Sequence, residues 1–498
     1  MNEVNSTSQV DFDDIQGLVR FAHGQLKDSA FVLLRIADEG AAKRWLAKLE
    51  VTSATLLSPI PNQAIQMAFT AGGLHQLGLN DALIAQFSDE FLAGMSGDDN
   101  RSRRLGDTGD NAPEQWQWGG KPNTSPDVLL MYYAREGSIT QLIEAHRDED
   151  FSAGFEVQQT LVSTSQGPEE PFGFADGISQ PKIDWDQMLS TDAHERASYT
   201  HRMSIGEVLL GYENEYGLYT SRPLLNRTQY NTAVPLAVAQ EDSERWDLGR
   251  NGSYLVLRQL SQDVPQFWQY LDGQVAGDAQ ARYQLAAAMV GRQRSGVPLI
   301  AGNSSAREND FSYDRDPLGI QCPIGSHIRR MNPRTGDFPP GTNTRLSKLV
   351  RTLGFGRRYP TEDLIAASRF HRILRRGRVY GEPLSPEEAI HNAENSQVEE
   401  DRGLYFICLG ANLARQFEFV QGAWAMSSKF AGLGTESDPL LGNRQPLLDG
   451  SHTDKFSRPK QNVPAECIKN LPQFVTVRGG AYFFMPGIRA LNYILHAG

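Results

Sequence analysis

The chain repeats one plan at a distance close to half its length. Residues 29 to 36, "SAFVLLRI", form an apolar run that reads as a buried strand, and "DEGAAKRWLAKLE" after it places apolar residues at helical spacing. From Ser253 the stretch "SYLVLRQLSQDVPQFWQYLDG" does the same. Its strand carries Arg258 where the first carries Arg35, and Trp268 follows where Trp45 did, so both pairs are 223 residues apart. A strand and a helix met twice in 498 residues predict two similar α+β domains, because one core seldom fills such a length. The expected boundary lies near residue 225, giving domains 1–225 and 226–498. Further strands are expected at 63 to 70, 403 to 410 and 480 to 487, with a helix from Asn412. The stretches 98 to 126 and 435 to 465 are rich in Gly, Pro, Asn and Asp without periodicity, which predicts long surface loops or insertions.

Charge and cysteine usage narrow the function. The net charge of −12 disfavours nucleic acid and anionic membranes as partners. No apolar run is long enough to span a bilayer, and the polar, acidic start "MNEVNSTSQVDFDD" lacks the pattern of a secretory signal, so a cytoplasmic location is expected. Three scattered cysteines, Cys322, Cys408 and Cys467, without a CxxC pair make neither a disulfide framework nor a thiolate zinc site.

Three segments carry candidate chemistry. "FGFADGISQP", 172 to 181, sets Asp176 between Gly173 and Gly177, which permit a tight backbone path and the close approach of a ligand; a plain turn is the competing reading. "CPIGSHIRRMNPR", 322 to 334, places His327 after a Pro/Gly/Ser turn, where it suits a haem or metal ligand, a general base or a packed polar residue. "SRFHRILRRGRVYGEP", 368 to 383, alternates like a strand: Phe370, Arg372, Leu374 and Arg376 share one side, His371, Ile373 and Arg375 the other. A basic strand usually means a solvated face or a nucleic-acid patch; the acidic whole argues against nucleic acid, and a buried anionic cofactor would explain the local basicity.

Taken together, these segments resemble the dye-decolorizing peroxidases. "GFADG" matches that family's GxxDG signature and continues as "ISQP"; "CPIGSHIRRMNPR" resembles the segment of its proximal haem histidine, and "RILRRGRVYG" that of its distal arginine. "DIQGLV", "AFTAGGLHQLGL", "RLGDTGDNAPEQWQWGG" and "VTVRGGAYFFMPG" extend the likeness from about residue 14 to 490, and the chain's length suits the family's larger subgroup. The resemblance implies two ferredoxin-like domains, with antiparallel sheets and peripheral helices, sandwiching haem b (iron protoporphyrin IX). The first would carry the GxxDG loop and the second most of the haem site.

Carried over residue by residue, the resemblance makes His327 the axial iron ligand, Asp176 the distal acid/base, and Arg375 the distal cation beside the cofactor. Arg375 is preferred to Arg376 because it follows "RIL" directly. An acidic partner of the histidine is implied, with Glu418, Glu436 and Asp438 as candidates. Hydrogen peroxide and dyes, phenolic or other aromatic donors become the expected substrates, with no nucleic-acid or membrane partner and homo-oligomerisation left open. An aspartate stays a base in acid where histidine is protonated, so dye oxidation is expected to favour acid. Trp116, Trp118, Tyr132 and Tyr133 are available as electron relays, with packing as the readier explanation. The alternatives are a non-enzymatic haem carrier, which needs His327 but not Asp176 or Arg375, and a haem-processing enzyme using the same pocket.

Overall fold

Two strand-rich halves meet edge to edge in one sheet of the computed structural model, which describes residues 10–164, 167, 169–188, 201–230, 235–301, 309, 311–313, 315–334, 368–391, 401–447 and 450–496. In the first half, β1 (Asp28–Ile36) leads into helix α1 (Glu39–Lys48), then β2 (Gln63–Phe69), β3 (Val128–Ala134) and β4 (Phe155–Val162). In the second, β5 (Ser253–Gln262) is followed by helices α2 (Val264–Gln274), α3 (Ala279–Val290) and α4 (His327–Met331). Then come the short strands β6 (Leu374–Arg375) and β7 (Arg378–Tyr380), β8 (Gly403–Gly410) and β9 (Val475–Met485).

The order across the sheet is β6-β8-β5-β9-β2-β3-β1-β4, with β7 also beside β8, and neighbouring strands run antiparallel. With the short strands β6 and β7 counted as one, each half therefore has its first strand between its third and fourth, the ferredoxin-like arrangement. The halves join through the pair Phe484 and Phe69. The expected boundary near residue 225 falls between β4 and β5.

Alternation along β1 explains why both faces of the sheet are buried. Ala30, Val32 and Leu34 enter one apolar core together with Trp45 of α1, while Phe31 and Leu33 enter a second core on the other side. Helix α1 starts where the Asp38 side chain accepts the Ala41 N–H, and α2 starts where Asp263 accepts that of Gln266.

Two expectations about loops are corrected. Residues 98 to 126 contain the helix Asp99–Leu105 and the buried side chains of Arg101, Asp107, Asn111, Trp116 and Trp118. Trp118 donates its Nε1–H to Gln259 of β5 at 2.9 Å and lies so close to Gly479 of β9 that a Cβ there would stand 2.4 Å from its ring. This segment is thus a clamp between halves, its polar composition spent on buried hydrogen bonds. Residues 435 to 465 likewise include buried Asp438 and strand Phe456–Lys460, which pairs with Val463–Ile468. The helix expected from Asn412 appears as π-helical segments Ala414–Glu418 and Val420–Met426. Among the described residues no helix is long and apolar enough to cross a membrane.

Candidate active site

Strand β5, the π-helical segments, α4 and the 170–181 loop enclose a cavity of about 270 Å³. Asp176, His327 and Arg375, the three residues singled out in the sequence, all line it.

The loop reaches the cavity through a tight turn in which Gly173 N–H donates to Glu170 O at 2.7 Å and Glu170 N–H to Phe174 O at 2.8 Å. Gly173 and Gly177 have φ of +85° and +76°, the left-handed region that glycine enters without strain. At Gly177 a Cβ would meet nothing within 4 Å, so among the described residues the backbone angle, not crowding, calls for glycine there. Asp176 lies between the two glycines, its side chain 43% exposed and lining the cavity, and its Oδ1 lies 3.1 Å from Arg375 Nη1. Burial opposes charge on Asp176, but the Arg375 guanidinium first, then the Gly177 N–H, and more weakly His327, hold its pKa below the ordinary 3.8.

The basic segment is a strand only in part. Ser368–Phe370 turns as a 3₁₀ helix, and Gly377 separates β6 from β7. Where β6 does form, alternation decides the register. Leu374 is buried, Arg375 faces Asp176, and Arg376 turns away to donate to the carbonyls of Leu18 and Val19 at 2.7 and 2.8 Å. Gln180 of the loop accepts the Arg375 N–H at 3.0 Å, tying loop and strand together.

His327 opens α4 after the turn closed by Ser326 N–H to Pro323 O. Its Nδ1 lies 3.0 Å from Asp438 Oδ2, and this selects Asp438 among the three acidic candidates. Glu418 is engaged by Arg101 at 2.8 Å and Tyr482 at 3.0 Å, and Glu436 by Ser457. Asp438 is fully buried, yet His327 and then Arg330, with the Leu441 N–H, keep its carboxyl below the usual range against that burial. Arg330, one helical turn beyond His327, donates to the carbonyls of Trp424, Glu436 and Ser427 and fastens α4 to the chain around Asp438.

Sequence reasoning missed other cavity residues. Arg258 and Asp107 form an ion pair, with Arg258 Nε and Asp107 Oδ2 lacking a hydrogen-bond partner among the described residues; Gln262 Oε1 also lacks one. Glu170 lines the same space, burial pushing its carboxyl up to about 7 against the pull of its hydrogen bonds. The repeated Arg258 was the one visible clue. Trp116, Trp118, Tyr132 and Tyr133 are all buried, in keeping with packing.

No family profile matches the chain. Dye-decolorizing peroxidase msp1 of Mycetinis scorodonius is 26% identical over 99% of this chain and 89% of its own length. The multifunctional dye peroxidase DyP2 of Amycolatopsis sp. is 28% identical over 96% and 95%. The chain is a homologue of the dye-decolorizing peroxidases. Its fold agrees: the fungal DyP-type peroxidase of Auricularia auricula-judae superposes with a TM-score of 0.70 over 98% of this chain and all of that one, at 24% identity. The dye-decolorizing peroxidase fold thus accounts for the two ferredoxin-like halves read from the repeat.

Proposed function

We propose that the chain reduces hydrogen peroxide and oxidises dyes, phenolic or other aromatic donors, with haem b as cofactor, Asp176 as distal acid/base, Arg375 as the cation beside the leaving oxygen and His327 as axial ligand. As a homologue of named peroxidases over nearly its full length, it is an oxidoreductase. One observation carries the finer reading: Asp176, Arg375 and His327 come from separate elements and line one cavity, where Asp176 meets Arg375 and His327 is backed by buried Asp438. A haem carrier would need only the second pair.

The residues present fit a haem. Its iron would take a protein donor such as a histidine nitrogen, and its body and carboxylates would suit apolar walls and cations. With Nδ1 held by Asp438, His327 keeps Nε2 for a ligand bond; Leu404, Phe406, Phe417 and Val420 supply apolar walls, and buried Arg292 and Arg372 supply positive charge. Arg258 Nε and Gln262 Oε1 on the wall, without a partner among the described residues, also suit a polar-edged occupant. Haem held by His327 would relay to peroxide the two electrons that the aromatic donor gives up.

The chain's own residues would handle the proton. Ionised Asp176 takes it from one peroxide oxygen and returns it to the other, which leaves as water. Arg375 stabilises the charge developing on that oxygen and never needs to be reprotonated. Asp438 orients the imidazole and raises its basicity. Hydrogen peroxide and aromatic donors as partners, a cytoplasmic location and a division near residue 225 belong to the same proposal.

Haem titrated into the full chain is expected to give a Soret band that His327→Ala lacks. Asp176→Asn is expected to slow the peroxide step roughly 10²–10⁴-fold. Because Asp176 titrates below 3.8, the wild-type rate should hold from neutrality down to about pH 4 and fall below it as the carboxylate takes up its proton. A chain that takes up no haem, or an unchanged Asp176→Asn rate at every pH, would overturn the reading.

A further inference from the structure

The loop that presents Asp176 is held by a carboxyl group to which the proposed chemistry gives no part. Glu170 Oε1 accepts the Phe174 N–H at 3.0 Å, and Oε2 accepts both the Phe172 N–H at 3.0 Å and Gln262 Nε2–H at 2.8 Å. One side chain therefore closes the turn on itself and fastens it to β5. The far side of the turn is held differently, by Ala175 N–H to Arg294 O at 2.9 Å and Arg294 Nε–H to Gly173 O at 3.0 Å. Asp176 is the next residue.

We infer that Glu170 is the positioning residue for Asp176: its bonds to Phe172, Phe174 and Gln262 set where the loop holds the Asp176 carboxylate against Arg375. The inference rests on the reading of Asp176 as the distal acid/base. It does not depend on the charge of Glu170. An ionised carboxylate accepts all three N–H groups, and a neutral carboxyl keeps an acceptor for the loop while its O–H can donate to Gln262 Oε1, which has no partner among the described residues, once that amide turns over. Glutamine at 170 cannot do this. Its amide nitrogen would face N–H donors, breaking at least one contact whichever way it turns.

The decisive experiment combines amide hydrogen exchange with a double-mutant cycle on the full chain. In Glu170→Gln, exchange at the Phe172 and Phe174 amides should quicken at least tenfold, with and without haem. In the haem-loaded protein, the second-order constant for hydrogen peroxide should fall at least tenfold while the donor KM stays unchanged, and adding Glu170→Gln to Asp176→Asn should cost nothing further. Gln262→Leu keeps Glu170 and its loop bonds but removes the tether, and should give a smaller loss of the same kind should Glu170→Gln not fold. Unchanged exchange in both variants, or a loss fully additive with Asp176→Asn, overturns the inference. A slow Asp176→Asn beside a wild-type Glu170→Gln rate overturns it alone; an Asp176→Asn rate equal to wild type overturns the assignment of Asp176 and the inference with it.

Discussion

Arg35 and Arg258 occupy matching places in the first strands of the two halves, yet they meet opposite surroundings. Arg35 is 47% exposed and pairs with Glu156 of the neighbouring β4 at 2.8 Å, in water. Arg258 is 2% exposed, pairs with buried Asp107 and faces the cavity. The tryptophans of the following helices differ too. Trp45 donates to His146 O at 2.8 Å, whereas Trp268 Nε1 has no partner among the described residues. One half uses its sheet and helix to make a closed core; the other leaves room beside its first strand. The same repeat thus supplies a scaffold once and a pocket wall once, and the energetic weight of each repeated residue follows from burial, not from its place in the repeat.

Removing one partner of the buried pair should strain this comparison hardest. Arg258→Leu leaves Asp107 charged or proton-seeking in the interior and is expected to cost about 3–5 kcal/mol in urea unfolding, while Arg35→Leu should cost under about 1 kcal/mol. Equal costs would mean that the cavity wall is wetter than its burial implies. A pH series sharpens the same contrast. Glu170, on the pocket side, has a folded pKa of about 7 against an ordinary 4.5, so the folded state binds its proton more tightly. Its contribution is present below pH 4.5 and is lost as pH rises to 7, on the order of 2 kcal/mol once the open cavity face is allowed for. Stability measured from pH 4 to 8 should therefore decline less in Glu170→Gln than in wild type. The smallest effect concerns the tryptophans. Trp45→Phe loses a hydrogen bond as well as volume, and should cost about 1 kcal/mol more than Trp268→Phe, which loses volume alone, by thermal unfolding.

Much of the fold was legible. The apolar runs predicted β1 and β8 almost to the residue, and the strand-helix repeat predicted two similar halves, because burial on both faces of a sheet leaves a continuous apolar trace. The segment 98 to 126 was not legible, since buried polar groups that hydrogen-bond one another look like surface in composition. The 368 to 383 stretch misled in part: its alternation was real at Leu374, Arg375 and Arg376 but broke at Gly377. The glycines around Asp176 were correctly read as conformational, both having positive φ.

By itself the sequence determined the repeated α+β plan, the acidic character of the chain and the three segments that place Asp176, His327 and Arg375. Those depend on local patterns: periodicity, turn residues and motif spacing. Tertiary structure alone decided that Asp438 and not Glu418 or Glu436 meets His327, that Arg375, already preferred to Arg376 in the sequence, comes within 3.1 Å of Asp176, and that Arg258 and Glu170 share their cavity. The first two are contacts between residues 111 and 199 positions apart, closed by packing, and no local pattern records which of several similar side chains will be brought within about 3 Å.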